Sequence, residues 1–231
     1  MISPENLILN GVPLVADLSG ALLWPEKRLM VVADLHLEKG SAFAQRGQLL
    51  PPYDTGATLA RLEALVESRR PETVICLGDS FHDRRAAERL SRPDAERIAR
   101  LTAGRDWIWI TGNHDPEPPA HLGGRIEDTV VLGPLCFRHE ATVGAGGEVS
   151  GHYHPVAAVR VRGRRVRARC FAGDGRRLIM PSFGAYTGGL NVLDRALAPL
   201  LGRRFQVHMM GRERLFEFPS ARLEPDLERV S

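Results

Sequence analysis

Residues 29–36 read LMVVADLH, a run of apolar side chains that leads directly into an Asp-x-His pair. An uninterrupted apolar run of this length is typical of a strand buried on both faces, as in a parallel sheet. The same arrangement recurs downstream, as TVICLGD at 73–79 and as WIWITGNHD at 107–115. Each run therefore predicts a strand whose carboxyl end carries polar side chains.

Helical patterns separate these strands. The first begins at Asp54 or Thr55 and ends before Pro71, and the second begins at Pro93 and ends at Gly104. An order of strand, helix, strand, helix, strand implies right-handed crossovers and a mostly parallel sheet.

From Thr129 onward the pattern changes to short strands at turn-sized intervals, which predicts an antiparallel half. The two halves together fit an α/β fold with two packed sheets and outer helices. The predicted strands of the second half are 130–132, 135–137, 158–162, 165–171 and 178–180.

Composition narrows the class of protein. A chain of 231 residues with 43% hydrophobic residues and a net charge of +3 is too apolar and too weakly charged to be mainly disordered. No apolar run approaches the ~18 residues that a membrane span needs. The first twenty residues lack the basic start of a signal peptide, so a cytoplasmic protein is expected. No shift in composition marks a boundary, and residues 1–231 are expected to form a single domain.

Cysteine usage and the basic residues add two constraints. The three cysteines, Cys76, Cys136 and Cys170, are far apart in the sequence and form no Cys-x-x-Cys pair. This argues against a disulfide framework or a zinc–cysteine site. All basic residues except Lys27 and Lys39 are arginine, the residue best suited to phosphate. This composition permits a nucleic-acid partner but does not establish one.

Polar clusters follow the three early strands, and ligands lie beyond the carboxyl ends of strands in open α/β sheets. Two later segments add further histidines. In chain order the clusters contain Asp34 and His36, then Asp79, then Asn113, His114 and Asp115, then His139, and finally His152 and His154. Alternate residues of an extended segment share a side, so each Asp-x-His or His-x-His pair can reach a common site.

Carboxylate, amide and imidazole groups in such numbers support two-metal hydrolysis, in which a shared carboxylate holds two ions ~3.5–4 Å apart and the ions acidify the attacking water. Taken singly, each cluster has a structural explanation, such as a turn, a helix cap or a surface pair. The order of the five clusters, three of them at strand ends, favours the metal site. Gly78, Gly112 and Gly151 precede ligands at points where the backbone must turn sharply or approach closely.

These clusters resemble the calcineurin-like metallophosphoesterases, and the resemblance covers most of the chain up to His154. More narrowly, ADLHLEKG at 33–40, LGDSFHD at 77–83 and PSFGAYTGG at 181–189 look like the PdeM group of ligase-associated DNA damage response endonucleases, which are related to the SbcD nucleases. The resemblance implies a four-layer αββα sandwich of two mixed sheets. The chain is too short for the additional capping and ATPase-docking portions of full-length SbcD nucleases.

The resemblance also assigns roles to residues. Asp34, His36, Asp79 and His154 would hold one ion, and Asp79, Asn113, His139 and His152 the other. His114 would protonate the leaving oxygen, and Asp115 would orient His114. His82 is a further catalytic candidate, although a histidine at a helix start or in a loop, without a catalytic role, explains it equally well. Oxygen and imidazole ligands without thiolate point to Mn²⁺, Fe²⁺, Zn²⁺ or Co²⁺, with Mn²⁺ the usual metal of the family.

Candidate substrate contacts are less specific. Lys39 and Arg138 lie beside presumed ligands and could touch a phosphate, or they could be plain surface charges. Residues 158–171 predict a hairpin with valines on one side and arginines on the other, which we name the arginine ribbon. The ribbon could track a phosphate backbone, but a solvated outer face explains it slightly better. Its residues are Arg160, Arg162, Arg165, Arg167 and Arg169.

Three functions are therefore considered. The first is a two-metal phosphodiesterase, a nuclease that acts on DNA in repair, with a ligase or a helicase as partners implied by the resemblance. The second is a metal-dependent phosphatase or pyrophosphatase that acts on a small phosphorylated metabolite or a nucleotide. The third, least favoured, is a non-catalytic nucleic-acid-binding protein, in which His114 and Asp115 would have little purpose.

Overall fold

The computed structural model describes residues 5–48, 50–51 and 53–226. Seven strands form the first sheet and pair in chain order. Their bounds are β1 Glu5–Leu9, β2 Val12–Ala16, β3 Leu22–Trp24, β4 Leu29–Val32, β5 Thr73–Cys76, β6 Asp106–Ile110 and β7 Arg125–Glu127. Strands β4 to β7 are parallel and β1 to β4 antiparallel, so the sheet is mixed. The three early strands predicted from the sequence are β4, β5 and β6.

Nine strands form the second sheet, with the order β14-β11-β12-β13-β10-β9-β8, and a hairpin of β15 and β16 joins it along β12. Their bounds are β8 Thr129–Leu132, β9 Leu135–Arg138, β10 Glu148–Ser150, β11 Pro155–Val161, β12 Arg164–Gly173, β13 Arg177–Ile179, β14 Leu190–Asn191, β15 Gln206–Met210 and β16 Leu215–Pro219.

The sequence pattern predicts an antiparallel second half, and this prediction is wrong in part. Strand β10 lies between β9 and β13 and runs parallel to both. The loops that follow β9 and β10 therefore leave the sheet at the same edge. This sheet is mixed as well, because the hairpins β8–β9, β11–β12 and β15–β16 are antiparallel.

The helices are α1 Lys39–Gln45, α2 Asp54–Arg69, α3 Ala86–Arg89, α4 Arg92–Thr102 and α5 Ala198–Leu201, with 3-10 turns at Pro25–Lys27, Ala120–Leu122 and Ser220–Arg222. Helix α4 begins one residue before the predicted Pro93, and the Ser91 hydroxyl accepts the amide of Asp94 as its cap. Neither Asp54 nor Thr55 caps α2. Asp54 accepts the amide of Gly40, and Thr55 bonds Glu38, so both tie α2 to the start of α1.

Three apolar clusters separate four layers. One lies between the sheets and joins residues such as Val31 and Ile108 to Phe137. A second packs the outer face of the first sheet on helices α2 and α4, and a third packs the outer face of the second sheet on α5. Successive residues of β4 alternate between the first two clusters, because a strand presents its side chains to both faces in turn. The predicted αββα sandwich of two mixed sheets is confirmed.

The tryptophans and two of the three cysteines are buried. Trp24, Trp107 and Trp109 are buried in the core. Cysteines 76, 136 and 170 are all free thiols. Among the described residues, no helix combines the length and the apolar character that crossing a membrane requires.

We predict that Phe137→Ala destabilises the protein far more than Phe216→Ala. Phe137 is 0% exposed between the two sheets, whereas Phe216 is 41% exposed on the edge strand β16. Removing a buried phenylalanine ring costs about 3–5 kcal/mol, through lost transfer free energy and the cavity left behind. The free energy of unfolding from urea titrations measures both variants, and equal losses would contradict the packing described here.

Candidate metal centre

The first sheet delivers ligands from the carboxyl ends of three adjacent parallel strands. Asp34 and His36 follow β4, Asp79 follows β5, and Asn113 follows β6. These are the strand ends where the sequence places polar clusters. Because the strands are parallel neighbours, all of these side chains start from one edge of the sheet.

The second sheet brings three histidines to the same place. His139 follows β9, and His152 and His154 follow β10. Hydrogen bonds tie the loops of the two sheets together: the amide of His152 donates to both oxygens of the Asp34 carboxylate, at 3.1 and 3.0 Å. The site therefore lies at one end of the sandwich, between the layers.

One group of donors consists of Asp34, His36 and His154, whose ligand atoms lie within 4.8 Å of one another. The Nε2 atoms of His36 and His154 are 3.2 Å apart, and His154 Nε2 is 3.4 Å from Asp34 Oδ1. Asp34 and His36 are buried, which removes competing water from these donors.

The other group consists of Asp79, His139 and His152. His139 Nε2 lies 3.5 Å from Asp79 Oδ1 and 3.1 Å from His152 Nδ1. The amide oxygen of Asn113 joins them, at 2.9 Å from His139 Nε2 and 3.0 Å from His152 Nδ1. Four donors thus converge on one point.

Asp79 lies between the two groups. Its Oδ1 is nearest to His139, while its Oδ2 is 3.9 Å from His36 Nε2. A carboxylate that offers one oxygen to each group is placed to be shared by two cations. The structure thus brings all seven sequence-predicted ligands into two adjoining groups.

The donors fit divalent cations. Ligand atoms bound at about 2.0–2.2 Å from one ion lie roughly 3 Å from each other, which is the spacing observed in both groups. The Nδ1 of His139 is 2.8 Å from the carbonyl oxygen of Leu77, so Nδ1–H donates there and the Nε2 lone pair is free for a metal. Burial, reinforced by His154 and His114, lowers the pKa of His36 to about 2, which keeps its imidazole neutral as a ligand requires.

The backbone at the site is strained. Asp34, His36, Asp79, His152 and His154 all have positive φ, between 44° and 69°. Non-glycine residues in this region cost of order 1–3 kcal/mol each, and such strain gathers where function requires it. This backbone conformation lets short loops direct several ligand side chains into the site.

Two of the three glycines singled out in the sequence show why no side chain is tolerated. A Cβ on Gly78, whose φ is +73°, would lie 2.6 Å from the ring of His139. A Cβ on Gly112 would lie 2.3 Å from the backbone nitrogen of Asp79. Both positions allow one ligand loop to pack directly against the next.

His114 stands beside the two groups with its ring 40% exposed. Its Nδ1 is 2.8 Å from the carbonyl oxygen of His82, and its Nε2 is 3.9 Å from Asp79 Oδ2. The rings of His82 and His114 stack at 5.3 Å. Burial, Lys39 and His114 lower the pKa of His82 to about 4. The structure therefore brings both predicted catalytic histidines to the edge of the centre.

Asp115 takes a different position from the one that the resemblance implies. Its buried Oδ2 accepts the amide of Phe81 at 3.1 Å, and the group that contacts His114 Nδ1 is the His82 carbonyl. Asp115 and His114 thus contact different partners although they are neighbours in sequence. Burial raises the pKa of Asp115 to about 8. Asp115 thus supports the loop that carries Asp79.

The two candidate substrate residues differ in their surroundings. Lys39 begins α1 near the centre, with Nζ 5.8 Å from the ring of Phe43. Arg138 is bonded to Thr142 and lies 3.4 Å from the buried carboxylate of Glu148. Arg138 is the last residue of β9 and directly precedes His139, but its contacts are with Thr142 and Glu148.

The arginine ribbon has the predicted alternation but not a free surface. Arg160, Arg165 and Arg167 share a face of the β11–β12 hairpin, and each binds Glu224 or Asp226 from the end of the described chain. Arg169 is partly buried and donates to the Ser182 carbonyl. Arg162 lies in the turn of the hairpin and has positive φ. Carboxylates of the chain itself thus neutralise most of the ribbon.

A buried ion pair escaped the sequence analysis. Glu148 and Arg177 lie 3.8 Å apart in neighbouring strands, both almost fully buried. Glu148 accepts the amide of Thr142, and Arg177 donates to the carbonyls of Thr142 and Ala145. The pair fixes the loop that follows His139. Its only sequence signal is a single charged residue at the start of each of two short strands.

A family model and one solved structure agree with this architecture. The model of the calcineurin-like phosphoesterases matches residues 27–163, more than half of the chain. The crystal structure of the Pseudomonas putida nuclease MPE is 29% identical, with a TM-score of 0.72, over 94% of this chain and 100% of the other. Yfce, a phosphoesterase from E. coli, matches at 17% identity and a TM-score of 0.42, over 82% of this chain and 97% of the other. No curated protein sequence matches significantly. The chain belongs to the calcineurin-like phosphoesterase family, as its sequence motifs predict.

Proposed function

We propose that this phosphoesterase is a two-metal phosphodiesterase that cleaves DNA. The observation that carries the proposal is the pair of donor groups that meet at Asp79, since a shared carboxylate is the feature of two-metal phosphoryl chemistry. The likeness to a nuclease over 94% of the chain supports a phosphodiester substrate.

The residues of the chain divide the work as follows. Asp34, His36 and His154 would hold one ion, and Asn113, His139 and His152 the other, with Asp79 shared. Bound divalent ions neutralise phosphate charge and make water a better nucleophile. The amide of His114 donates to Asp79 Oδ1 at 2.9 Å, which fixes this carboxylate.

His114 is the proposed proton donor to the leaving oxygen. Its Nδ1–H is engaged by the His82 carbonyl, so Nε2 is the nitrogen that can carry a transferable proton toward the centre. Nε2 lies 3.9 Å from Asp79 Oδ2, so this nitrogen is directed toward the centre. His82 stacks on His114 and orients it through its carbonyl oxygen.

The metal and the biological role are finer proposals. Imidazole, amide and carboxylate donors without thiolate suit Mn²⁺, with Fe²⁺, Zn²⁺ and Co²⁺ as alternatives. A role in DNA repair, beside a ligase or a helicase, rests on the resemblance of segments 33–40, 77–83 and 181–189 to the ligase-associated endonucleases.

The substrate class can be tested with three compounds. We expect Mn²⁺-loaded protein to hydrolyse bis-p-nitrophenyl phosphate and a DNA oligonucleotide, and to hydrolyse p-nitrophenyl phosphate with a lower kcat/KM, because the proposed substrate is a diester. Metal-free protein is the control. A strong preference for the monoester would favour the small-metabolite phosphatase, and no metal-dependent turnover would refute the proposed function.

The roles of Asp79 and His114 can be separated with two variants. Mn²⁺ is expected to raise the Tm of the wild type and of His114→Ala but not of Asp79→Asn, because binding to the folded state stabilises it only where the ligands remain. His114→Ala should lower kcat on DNA by about 10²–10⁴, the usual contribution of a general acid.

The leaving group provides the readout specific to proton donation. p-Nitrophenolate departs with little need of a proton, so the loss in His114→Ala should be much smaller on bis-p-nitrophenyl phosphate than on DNA. Equal losses on both substrates, or a lost Tm response to Mn²⁺, would show that His114 acts in some other way.

A further inference from the structure

An open cleft of about 540 Å³ adjoins the metal centre at Asn113 and His114. The rest of its lining comes from the end of α1 and from the segment that follows β5 and includes α3. This lining carries one amide, one carboxylate and four guanidinium groups. The residues are Gln45, Asp83, Arg46, Arg84, Arg85 and Arg89.

Two of the four arginines are already engaged within the chain. Arg89 donates to Asp83 at 2.8 Å and to the hydroxyl of Ser41 at 3.0 Å. Arg85 pairs with Glu88 at 3.0 Å. The side chains of Arg46 and Arg84 are exposed, and neither has a carboxylate within 4.0 Å in the described part of the chain. The cleft therefore keeps the positive charge of two free guanidinium groups.

The surface on the other side of the centre has the opposite character. A second opening, beside His139, is lined by the carboxylates of Asp128 and Glu140 together with Arg138. Arg138 is already paired with the buried Glu148, so it does not offset those carboxylates. A polyanionic strand is attracted to the first opening and repelled from the second.

His114 lies on the side of the centre that carries the arginines. The residue lines this cleft with a side chain that is 40% exposed, and its Nε2 is the proposed donor to the leaving oxygen. A strand that continues from the leaving oxygen would pass from His114 directly into the cleft. Arginine recognises phosphate with paired N–H donors, and exposed guanidinium groups have little desolvation to overcome.

We infer that the cleft of Arg46 and Arg84 binds backbone phosphates of the nucleic-acid strand on the leaving-group side of the scissile bond. This inference rests on the proposed function and adds to it a binding subsite for neighbouring phosphates. A small phosphoester has no such phosphates and gains nothing from the cleft. The cleft therefore confers preference for a strand over a small diester.

The test compares Arg46→Gln/Arg84→Gln with the wild type on a DNA oligonucleotide and on bis-p-nitrophenyl phosphate, both with Mn²⁺. The ratio of kcat/KM for the oligonucleotide to that for the small diester is expected to fall at least tenfold. The slope of log KM against log salt for the oligonucleotide should decrease by about 1.4, since each lost contact with a single strand removes roughly 0.7.

The matched control is Arg203→Gln/Arg204→Gln, which removes the same charge from another exposed place. These arginines precede β15, whose first residue pairs with Gly173, close to the amino end of β13 and so at the edge of the sheet opposite the ligand loops. The control should keep both the substrate ratio and the salt slope of the wild type.

Three results would overturn the inference. A cleft variant with the substrate ratio of the wild type, or a control variant with an equal fall, would show that the cleft does not bind the strand, while the proposed function would stand. A wild type that hydrolyses the small diester but not DNA would refute the proposed nuclease function and the inference together.

Discussion

The site depends on two buried carboxylates, Asp34 and Asp79, that are held a short distance apart among imidazoles. Backbone amides stabilise both: His152 donates to Asp34, and His114 donates to Asp79. Each of these amides belongs to a different ligand loop from the carboxylate that it binds, so each hydrogen bond also fixes the position of a neighbouring ligand. Charged groups with this degree of burial require compensation, and the remaining compensation is what a divalent cation supplies.

These hydrogen bonds between ligand loops explain how the strained loop conformations persist. The ligand residues with positive φ would relax if their loops were independent. The segment that follows β13 adds a further constraint, because the amides of Phe183 and Gly184 donate to the carbonyls of Ala33 and Asp34. Two sheets that share one apolar core hold the loops at a fixed separation. The rigid sandwich thus fixes the geometry of the ligands.

The sequence predicted the strands that carry ligands well, because apolar runs at 29–33, 73–77 and 107–110 are buried on both faces and leave little ambiguity. It predicted less where tertiary contacts decide. The residues of the hairpin β1–β2 alternate in burial but stand far from any motif, and the parallel order of β9, β10 and β13 depends on partners distant in sequence. The His82 carbonyl that holds His114 is a backbone atom, and so no side-chain pattern reveals it. Adjacency in the sequence was also a poor guide to the role of Asp115, which directly follows His114 but accepts the amide of Phe81.

The arginine content shows why composition alone does not identify a nucleic-acid surface. Arg97 binds Glu63 and Asp94, Arg125 binds Asp106, and the ribbon binds Glu224 and Asp226, so these guanidinium groups serve the fold. What a polyanion encounters is the charge left over after such pairing. That remainder is unevenly distributed around the metal centre, with unpaired arginines beside His114 and, beside His139, carboxylates that accept only from hydroxyl groups. In the proposed nuclease, the direction in which a strand crosses the centre would therefore follow from local pairing, and the net charge of +3 carries no information about it.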